Sequence, residues 1–312
     1  MKNILVATDF SEESKEAFYF AKEQALLAGK DVGRIHMMFV LQDLPARDEF
    51  DIWSSKFSKE SIPSFVDEAQ LQATQRIKEL CHENFNGFNV ETAIVRTHDS
   101  VAAEIAAYAS SHNCNLVVVT SHGRTGIKKI LLGSVASELL PRVTCPALVV
   151  PVGALKRAKE KRDLNARKHI IVTTDFSEKS LSSFEVAKEQ LNVASDVKPQ
   201  LTLLHVLEDV TRATYHFSLG GDLKQIKIDM KEKCLEELNK LRDKHFAGLA
   251  VNTSVIDGIE PTYVEIAAYS RTHHVDMIIM SRHGRTGFSK MFVGSNTAKI
   301  LPNAHCPVLI VP

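Results

Sequence analysis

The chain has 312 residues, of which 44% are hydrophobic and 24% are charged, so it has apolar material for two ordinary cores. Lysine plus arginine and aspartate plus glutamate both number 38, a balance that argues against nucleic acid or anionic membrane as a partner. No apolar run is long enough to cross a bilayer, and the N-terminus enters a strand with no signal peptide ahead of it. Five scattered cysteines do not form a disulfide framework. These features predict a cytoplasmic globular protein with reduced thiols.

Short apolar runs alternate with longer amphipathic segments, and the series occurs twice. The runs are continuous rather than alternating, as is typical of strands buried on both faces of a parallel sheet. The first series comprises residues 4–7, 35–41, 90–95, 116–120 and 147–150, and the second comprises 170–173, 201–207, 251–256, 277–280 and 308–311. Five β-α units per series predict two tandem doubly wound α/β domains, each a five-stranded parallel sheet flanked by helices.

Two features mark the helices between these runs. Ser11 and Ser177 follow the first strand of each series and are candidate N-cap residues, with acidic residues in the first turn. A helical stripe of apolar residues in the second series falls at Ile226, Met230, Cys234, Leu238 and Leu241.

The two series are copies of one domain. Residues 7–25 match 173–191 at an offset of 166, and residues 119–151 match 280–312 at an offset of 161 with 15 of 33 positions identical. The second copy is therefore five residues shorter, between about residues 43 and 64. We predict a first domain at 1–152, a linker at 153–167 and a second domain at 168–312.

The fourth strand of each copy runs into the turn His-Gly-Arg-Thr-Gly, which contains Gly123 or Gly284. After nine intervening residues comes Gly-Ser, at Gly133-Ser134 in the first copy and at positions 294–295 in the second, and this pair opens a helix. Free backbone N–H groups, a serine hydroxyl and a helix N-terminus around one small volume favour an anion such as phosphate. The alternative is a structural turn followed by a capped helix.

Asp9 and Asp175 leave the first strand of each copy within an identical Thr-Asp-Phe-Ser-Glu run. Both aspartates and both glycine turns fall at carboxyl ends of strands, where open α/β sheets bind ligands. A carboxylate there suits a ribose hydroxyl or a Mg²⁺ ion that offsets phosphate charge. The other interpretation, a turn aspartate that caps the following helix, is left open by the residues.

These motifs together resemble those of the universal stress protein family. The resemblance rests on Thr-Asp-Phe-Ser after strand one, His-Val-Leu-Glu at strand two, Gly-x9-Gly-Ser after strand four and Cys-Pro-x-Leu-x-Val at strand five. It covers both halves, as in a tandem member, and implies a Rossmann-like fold of the adenine nucleotide alpha hydrolase type. In nucleotide-binding members of the family that domain holds ATP or a related adenine nucleotide, usually with a divalent ion such as Mg²⁺.

Carried over by position, the resemblance assigns nucleotide contacts in each copy to the strand-one aspartate, a strand-two backbone and the phosphate loop. The residues concerned are Thr8, Asp9, Val40, Thr120, Gly123, Gly133, Ser134 and Val135 in the first copy, and Thr174, Asp175, Val206, Ser281, Gly284, Gly294, Ser295 and Asn296 in the second. Thr120 and Ser281 depart from the family pattern, which has glycine there. Their side chains either crowd the phosphate or donate a hydroxyl hydrogen bond to it.

The resemblance implies a stress-response sensor or regulator rather than a dedicated enzyme, because no second catalytic constellation accompanies the phosphate loop. His122 and His283 are interpreted as hydrogen-bonding loop residues rather than general bases, and the basic segment 156–162 as a solvated, partly helical tether. The alternatives are an interaction protein without nucleotide, or a slow ATPase or adenylating enzyme. We further predict that the domains pair through 147–150 and 308–311, because an exposed edge strand needs cover. Association of two chains is compatible with the sequence.

Overall fold

A computed structural model of the chain describes residues 2–29, 32–42, 61–122, 132–160, 167–191, 198–208, 223–284 and 293–312. Each repeat contributes five strands among these residues. The strands of the first repeat are β1 (Lys2–Thr8), β2 (Val32–Gln42), β3 (Val90–Thr97), β4 (Cys114–Thr120) and β5 (Ala147–Val150). Those of the second are β6 (His169–Thr173), β7 (Gln200–Glu208), β8 (Val251–Gly258), β9 (Met277–Ser281) and β10 (Val308–Val311). All ten predicted strands are confirmed.

Helices connect the strands. They are α1 (Ser14–Ala28), α2 (Ser61–Asn84), α3 (Val101–Ser111), α4 (Ser134–Leu139), α5 (Ala154–Glu160), α6 (Glu178–Leu191), α7 (Leu223–His245), α8 (Thr262–Thr272) and α9 (Ser295–Ile300). Helix α5 falls within the predicted linker, whose residues 161–166 lie outside the described residues. None of the helices in the described ranges is both long and apolar enough to cross a membrane.

The chain forms two compact units, one made mainly of residues before 148 and the other mainly of residues after it. In the first unit, strands run in the order β3-β2-β1-β4 and all pairings are parallel. In the second the order is β10-β9-β6-β7-β8, again with parallel pairings. The strand order reverses beside β1 and β6, so the carboxyl ends of β1, β2 and β4, and of β6, β7 and β9, meet at one edge of each sheet.

Both faces of each sheet are covered. Leu5 and Val6 are neighbours on β1, and both are 0% exposed although successive side chains of a strand point to opposite faces. Ile278 and Ile279 on β9 are likewise fully buried. Apolar runs without alternation are what this two-sided burial requires, and the predicted fold class, tandem doubly wound α/β domains, is confirmed.

The helix starts differ between the repeats. Helix α6 begins at Glu178, and the Ser177 hydroxyl accepts the N–H of Ser180 at 3.3 Å, as expected of an N-cap. In the first repeat Ser11 accepts the equivalent hydrogen bond from Ser14 at 3.1 Å, but α1 begins only at Ser14. The N-cap prediction therefore holds at Ser177, whereas at Ser11 the hydrogen bond stabilises a turn that precedes the helix.

Helix α7 buries less of its predicted stripe than expected. Leu238 is fully buried, whereas Ile226 is 36% exposed. The stripe therefore packs on the sheet in the C-terminal half of the helix.

All five cysteines are free thiols, and Cys114 and Cys306 are buried. Burial raises the pKa of Cys81 to about 11 and that of Cys114 to about 12. These thiols are therefore protonated at neutral pH, so they are poor nucleophiles and their role in the structure is packing.

Candidate functional site

The turn after β1 is held by a closed set of side-chain hydrogen bonds. The Asp9 Oδ1 atom accepts from the backbone N–H of Ser11 at 3.0 Å and from its hydroxyl at 2.5 Å. The buried Thr8 hydroxyl accepts the N–H of Phe10 at 3.0 Å and lies 2.9 Å from the hydroxyl of Ser14. Phe10 has a φ of 65°, in the left-handed region that non-glycine residues seldom adopt. These hydrogen bonds fix the aspartate at the carboxyl end of the strand.

The turn after β6 is built in the same way. Asp175 Oδ1 accepts from the N–H and the hydroxyl of Ser177 at 3.0 and 2.6 Å. The Thr174 hydroxyl accepts the N–H of Phe176 at 3.0 Å and lies 2.8 Å from that of Ser180. Phe176 also has a φ of 65°. One oxygen of each aspartate thus holds the turn. Its partners, Ser11 and Ser177, precede the first residues of α1 and α6, so these bonds stabilise the turn rather than cap an N–H group of the helix.

The other oxygen of Asp175 lies against the glycine turn after β9. A Cβ atom added to Gly284 would be 2.7 Å from Asp175 Oδ2, closer than real Cβ atoms come to a neighbouring atom. Gly284 is not among the glycines with positive φ, so glycine is favoured here by the close approach of the carboxylate rather than by backbone conformation. The structure therefore brings Asp175 and Gly284 together. The corresponding glycine of the first repeat, Gly123, lies outside the described residues.

The glycines of the two Gly-Ser pairs pack on the backbone at the end of strand four. Gly133 donates its N–H to the carbonyl of Ser121 at 2.7 Å, and Gly294 donates to that of Arg282 at 2.8 Å. An added Cβ would be 2.7 Å from the Ser121 oxygen and 3.0 Å from the Arg282 oxygen. At Gly294 it would also lie 3.7 Å from the N atom of Gly284. Contact with the protein's own backbone thus accounts for glycine at both positions, and the two motif glycines of the second repeat are neighbours.

Thr120 and Ser281, which stand where the family pattern has glycine, use their hydroxyls inside the turn. Thr120 Oγ1 donates to the carbonyl of His122 at 2.8 Å, and Ser281 Oγ donates to that of His283 at 2.6 Å. A hydroxyl has a single proton, so neither group can donate to a phosphate without releasing this carbonyl. The side chains of Thr120 and Ser281 therefore stabilise the turn, a role that was not predicted from the sequence.

The residues that open the short helices lie beside these glycines. Ser134 and Ser295 are the first residues of α4 and α9, and both are exposed. Val135 and Asn296 follow them and are half-buried. The serine hydroxyls are therefore accessible at the helix N-termini, as the phosphate-loop interpretation requires.

The strand-two residues Val40 and Val206 lie near the carboxyl ends of β2 and β7. Val40 pairs with Val95 of β3, and Val206 pairs with Ile256 of β8. Val206 is 7% exposed and Val40 is half-buried. Strand β1 pairs with both β2 and β4. The carboxyl ends of these strands, with Val40, Asp9 and Thr120, therefore lie along one edge of the first sheet, and the corresponding residues lie along the same edge of the second.

A ring pair at this edge was not anticipated from the sequence. Phe10 stacks on Phe39 with ring centroids 4.3 Å apart, and Phe176 lies 4.4 Å from the ring of His205. His205 is buried, and its Nδ1 lies 2.8 Å from the carbonyl oxygen of Thr174. A carbonyl only accepts, so Nδ1 carries the proton. The phenylalanine that both Thr-Asp-Phe-Ser runs contain is the sequence feature from which a ring contact at this edge could have been predicted.

The histidines before the turn glycines have different partners. His122 Nδ1 lies 3.0 Å from the hydroxyl of Ser121, and its buried Nε2 has no hydrogen-bond partner within the described ranges. His283 Nε2 accepts from Arg282 Nε at 3.2 Å. Arginine only donates, so the imidazole of His283 is neutral with its proton on Nδ1. Burial lowers the pKa of His283, and the positive charges of Arg282 and Lys179 lower it further. Both histidines thus make loop hydrogen bonds.

The two strand-end aspartates are of the residue type that binds a magnesium ion together with a phosphate ligand. Across the part of the chain that the structure describes, no three His, Cys, Asp or Glu side chains form a group that could hold an ion. Mg²⁺ commonly uses one or two carboxylates together with substrate phosphates and water. Asp9 and Asp175 are the carboxylates that fit this use.

The fold defines a tandem α/β protein whose two repeats each carry an aspartate after strand one and a Gly-Ser pair after strand four. The family model of the universal stress protein family matches residues 1–151 and 166–312. The chain therefore belongs to the universal stress protein family, and it carries two such domains.

Similar proteins agree with this assignment. A universal stress protein of Methanocaldococcus jannaschii is 28% identical over 148 residues, which cover 47% of this chain and 83% of that protein. One of Mycolicibacterium smegmatis is 24% identical over 323 aligned residues, covering 99% of this chain and 96% of the relative. The crystal structure of a universal stress protein from Archaeoglobus fulgidus aligns with a TM-score of 0.59 at 20% identity, over 99% of this chain and 95% of the other. At that identity the structural likeness supports the fold alone.

Proposed function

We propose that the protein binds ATP or a related adenine nucleotide in one or both repeats and acts as a cytoplasmic sensor or regulator in the stress response. The observation that carries this proposal is the approach of Asp175 Oδ2 to within 2.7 Å of the Cβ position of Gly284. It places a carboxylate beside a glycine turn and, through Gly294, beside the N-terminus of α9. A phosphate with its Mg²⁺ ion, or a ribose next to a phosphate, needs groups of both kinds at one point.

Each group has a distinct role in this proposal. The aspartates hold a ribose hydroxyl or Mg²⁺, and the backbone at Val40 or Val206 meets the adenine. The N–H groups that follow Gly133 and Gly294, with the hydroxyls of the adjacent serines, contact phosphate. The turn hydrogen bonds of Asp9 and Asp175 use Oδ1, and Oδ2 of Asp175 lies on the side of the carboxylate that faces Gly284.

An interaction protein without nucleotide is the second candidate, and a specific observation favours it. The Thr120 and Ser281 hydroxyls donate to carbonyls of their own turns, so each turn is stabilised without a ligand. A turn of this kind keeps its shape whether or not it binds phosphate. Enzyme activity beyond slow hydrolysis has less support, since His122 and His283, the histidines before the turn glycines, make loop hydrogen bonds.

Thermal unfolding with and without ligand tests the proposal. With a Kd on the order of 10 μM, about 1 mM ATP stabilises the folded state by roughly 2.7 kcal/mol per site. This raises the melting temperature by about 2–4 °C or more. Asp9→Asn and Asp175→Asn are suitable variants because asparagine still accepts the turn hydrogen bond but lacks the charge.

Each variant should lose the part of the shift that its own repeat contributes, and the double variant should lose all of it. The melting temperatures without ligand serve as the folding control. No shift of the wild type with millimolar ATP and Mg²⁺ would favour the interaction protein.

We also propose that the fifth strands of the two repeats, Ala147–Val150 and Val308–Val311, pair with each other within one chain. The support is the sequence: both segments are short, apolar and equivalent in the repeats, and an open edge of this kind invites aggregation. Cysteine pairs introduced along the two segments in a variant that lacks the native cysteines should crosslink within one chain. Crosslinks that form only between chains would contradict this proposal.

A further inference from the structure

A buried histidine of the first repeat, His36 on β2, has no role in the proposed nucleotide site. It is 2% exposed and pairs with the apolar Leu5 on β1 and with Glu91 on β3. Glu91 is the second residue of its strand, whereas the candidate site lies at the carboxyl ends of the strands. His36 is therefore a titratable group inside the protein, on the amino-terminal side of the sheet.

The last turn of helix α3 covers this histidine. His36 Nδ1 lies 3.1 Å from the hydroxyl of Tyr108, and the His36 ring centroid lies 5.6 Å from that of Tyr108 and 5.4 Å from that of His112. The rings of Tyr108 and His112 stack on each other at 3.8 Å, and His112 Nδ1 lies 3.0 Å from the Tyr108 carbonyl oxygen. The end of α3 is thus held to β2 by ring contacts and a hydrogen bond.

The charges around His36 compensate one another while its ring is neutral. Glu91 Oε2 lies 3.9 Å from His36 Nδ1, but the same carboxylate forms an ion pair with Arg34 of β2. From α3 the ring faces Tyr108 and His112, and neither supplies a negative charge at neutral pH. A proton on His36 therefore adds a positive charge beside Arg34 and a second imidazole, with a carboxylate that is already paired.

Opening of the last turn of α3 would relieve this charge. Burial lowers the pKa of His36, and although Glu91 opposes this, His112 and Arg34 lower it further. A state in which the ring reaches water takes up the proton more readily, so a fall in pH favours that state. Apart from its rings, the turn buries the small side chain of Ala109, so opening exposes little apolar surface.

The second repeat has the same helix end above a different strand residue. Tyr269 and His273 at the end of α8 also stack at 3.8 Å, and His273 Nδ1 lies 3.0 Å from the Tyr269 carbonyl oxygen. The residue equivalent to His36 is Thr202, which does not titrate. The chain therefore contains an internal control for the stacked rings.

A histidine also lies near the end of α8, but a proton on its ring leaves its contacts in place. His169 Nδ1 lies 3.1 Å from the His273 carbonyl oxygen, and its Nε2 lies 3.0 Å from the hydroxyl of Thr202. The carbonyl accepts from Nδ1 in either state, and the hydroxyl oxygen accepts from a protonated Nε2. A cation at a helix C-terminus is also favourable. The end of α8 is therefore expected to stay closed in acid.

Helix α3 reaches the carboxyl edge of the first sheet at its other end. Glu104, in its first turn, accepts from the hydroxyl of Thr97 at 3.1 Å. Thr97 is the last residue of β3 and pairs with Gln42, the last residue of β2. One helix thus joins the surroundings of His36 to the strand ends beside the candidate site.

We propose that His36 is an acid-sensitive switch: as the pH falls, protonation of its ring releases the last turn of α3 from β2 in the first repeat, while α8 stays closed in the second. The switch acts through the fold and does not depend on the proposed nucleotide binding. The signal is the proton, and the element that moves is the end of α3.

Hydrogen exchange of the backbone amides of the full chain tests this proposal between pH 7.5 and pH 5.5. Rates are expressed as protection factors, so that the intrinsic pH dependence of exchange cancels. Below about pH 6.5, the amides at the end of α3 should lose protection by up to about tenfold per pH unit, the limit for one proton, and by at least about threefold over the whole range. The equivalent amides of α8 should change by less than about twofold.

Two variants assign the effect to the imidazole. His36→Gln keeps a hydrogen-bonding side chain that does not titrate, and His36→Thr supplies the residue of the second repeat. In both, the loss of protection at α3 with falling pH should disappear, whatever protection the variant has at pH 7.5. Equal losses at α3 and α8 would assign the effect to the stacked histidines and overturn the proposal. A loss that persists in His36→Gln, or a wild type without a loss at α3, would overturn it as well.

Discussion

The turn after strand one is nearly identical in the two repeats, whereas the end of strand four is not. Among the hydrogen bonds of the two Thr-Asp-Phe-Ser turns, the largest difference between equivalent distances is 3.1 Å against 3.3 Å. At the end of strand four, by contrast, Ser121 is replaced by Arg282, and a different nitrogen of the following histidine has a described partner. In the first turn, hydrogen bonds link the side chains of Thr8, Asp9, Ser11 and Ser14 to one another or to neighbouring N–H groups, so one replacement disturbs several bonds. At the end of strand four, a neutral serine and a charged arginine occupy equivalent positions, so this turn tolerates a change of charge.

The largest expected effect concerns the glycines of the Gly-Ser pairs. Gly133→Ala should lower the free energy of unfolding by about 2–3 kcal/mol, because its Cβ meets a backbone oxygen that cannot rotate away. Gly294→Ala should cost about 1 kcal/mol, since its nearest contact is longer, at 3.0 Å against 2.7 Å. Urea unfolding of both variants measures the difference, with Ser134→Ala and Ser295→Ala as controls at the exposed neighbours. Equal costs would show that the two loops close in the same way.

The shared turn gives the next comparison. Thr8→Val and Thr174→Val keep the shape of the side chain but leave the N–H of Phe10 or Phe176 without its acceptor. Each should cost about 2 kcal/mol, the range for a buried polar group that loses its partner. Because the two turns match, the two costs should agree within about 0.5 kcal/mol. A large cost in only one repeat would mean that the turns differ in solution.

A third comparison uses pH, because His36 on β2 is buried and its counterpart in the second repeat is Thr202. Burial lowers the pKa of His36, Glu91 opposes this, and His112 and Arg34 lower it further. His36 Nδ1 also lies 3.1 Å from the hydroxyl of Tyr108. Since the folded pKa is below the unfolded value, stability is fully present above about pH 6.5 and is lost as the pH falls through the folded pKa.

The loss attributable to His36 is at most about 1.4 kcal/mol per pH unit. His36→Gln should therefore reduce the slope of the unfolding free energy between pH 7 and pH 5.5, measured by urea titration. His245 and His283 also have lowered pKa values, and their contributions cancel in the difference between variant and wild type. An unchanged slope would assign the acid sensitivity to the second repeat.

The smallest expected effect concerns the first turn of the short helices α4 and α9. Thr297 Oγ1 donates to the carbonyl of Ser281 at 3.1 Å, and the equivalent residue of the first repeat is Ala136. Thr297→Ala should cost about 1 kcal/mol, the net value of one such hydrogen bond. Ala136→Thr is the matched change. Ala136 is buried, so crowding of about 1 kcal/mol should offset the hydrogen bond that the added hydroxyl makes, and the net change should be about 0.5 kcal/mol or less. Thermal unfolding of both variants measures these values.

The sequence predicted the fold well because the signals for the fold are local and repeated. Continuous apolar runs such as those of β1 and β9 predict strands buried on both faces. Because the domain is duplicated, each strand is predicted independently from two copies. The sequence also predicted the N-cap at Ser177. It did not predict the start of α1, because the same hydrogen bond at Ser11 stabilises a turn that precedes the helix.

The candidate site was predictable in its members but not in its contacts. The motif identified Asp175, Gly284 and Gly294, and the structure brings these three together. The roles of the Thr120 and Ser281 hydroxyls depend on which carbonyl lies within reach, and that follows from backbone geometry rather than residue type. The ring pairs of Phe10 and Phe176 depend on the register of β1 with β2 and of β6 with β7 in the same way.

The left-handed conformation of Phe10 and Phe176 has a consequence for the proposed ligand site. A non-glycine residue in this region costs on the order of 1 kcal/mol, which the threonine hydrogen bonds and the ring contacts offset. In return, the carboxylates of Asp9 and Asp175 are locked in one rotamer before any partner arrives. The aspartate side chains lose their conformational entropy when the protein folds, so a binding event does not have to include that loss. The aspartates are thus preorganised, and whatever binds beside them meets a rigid acceptor.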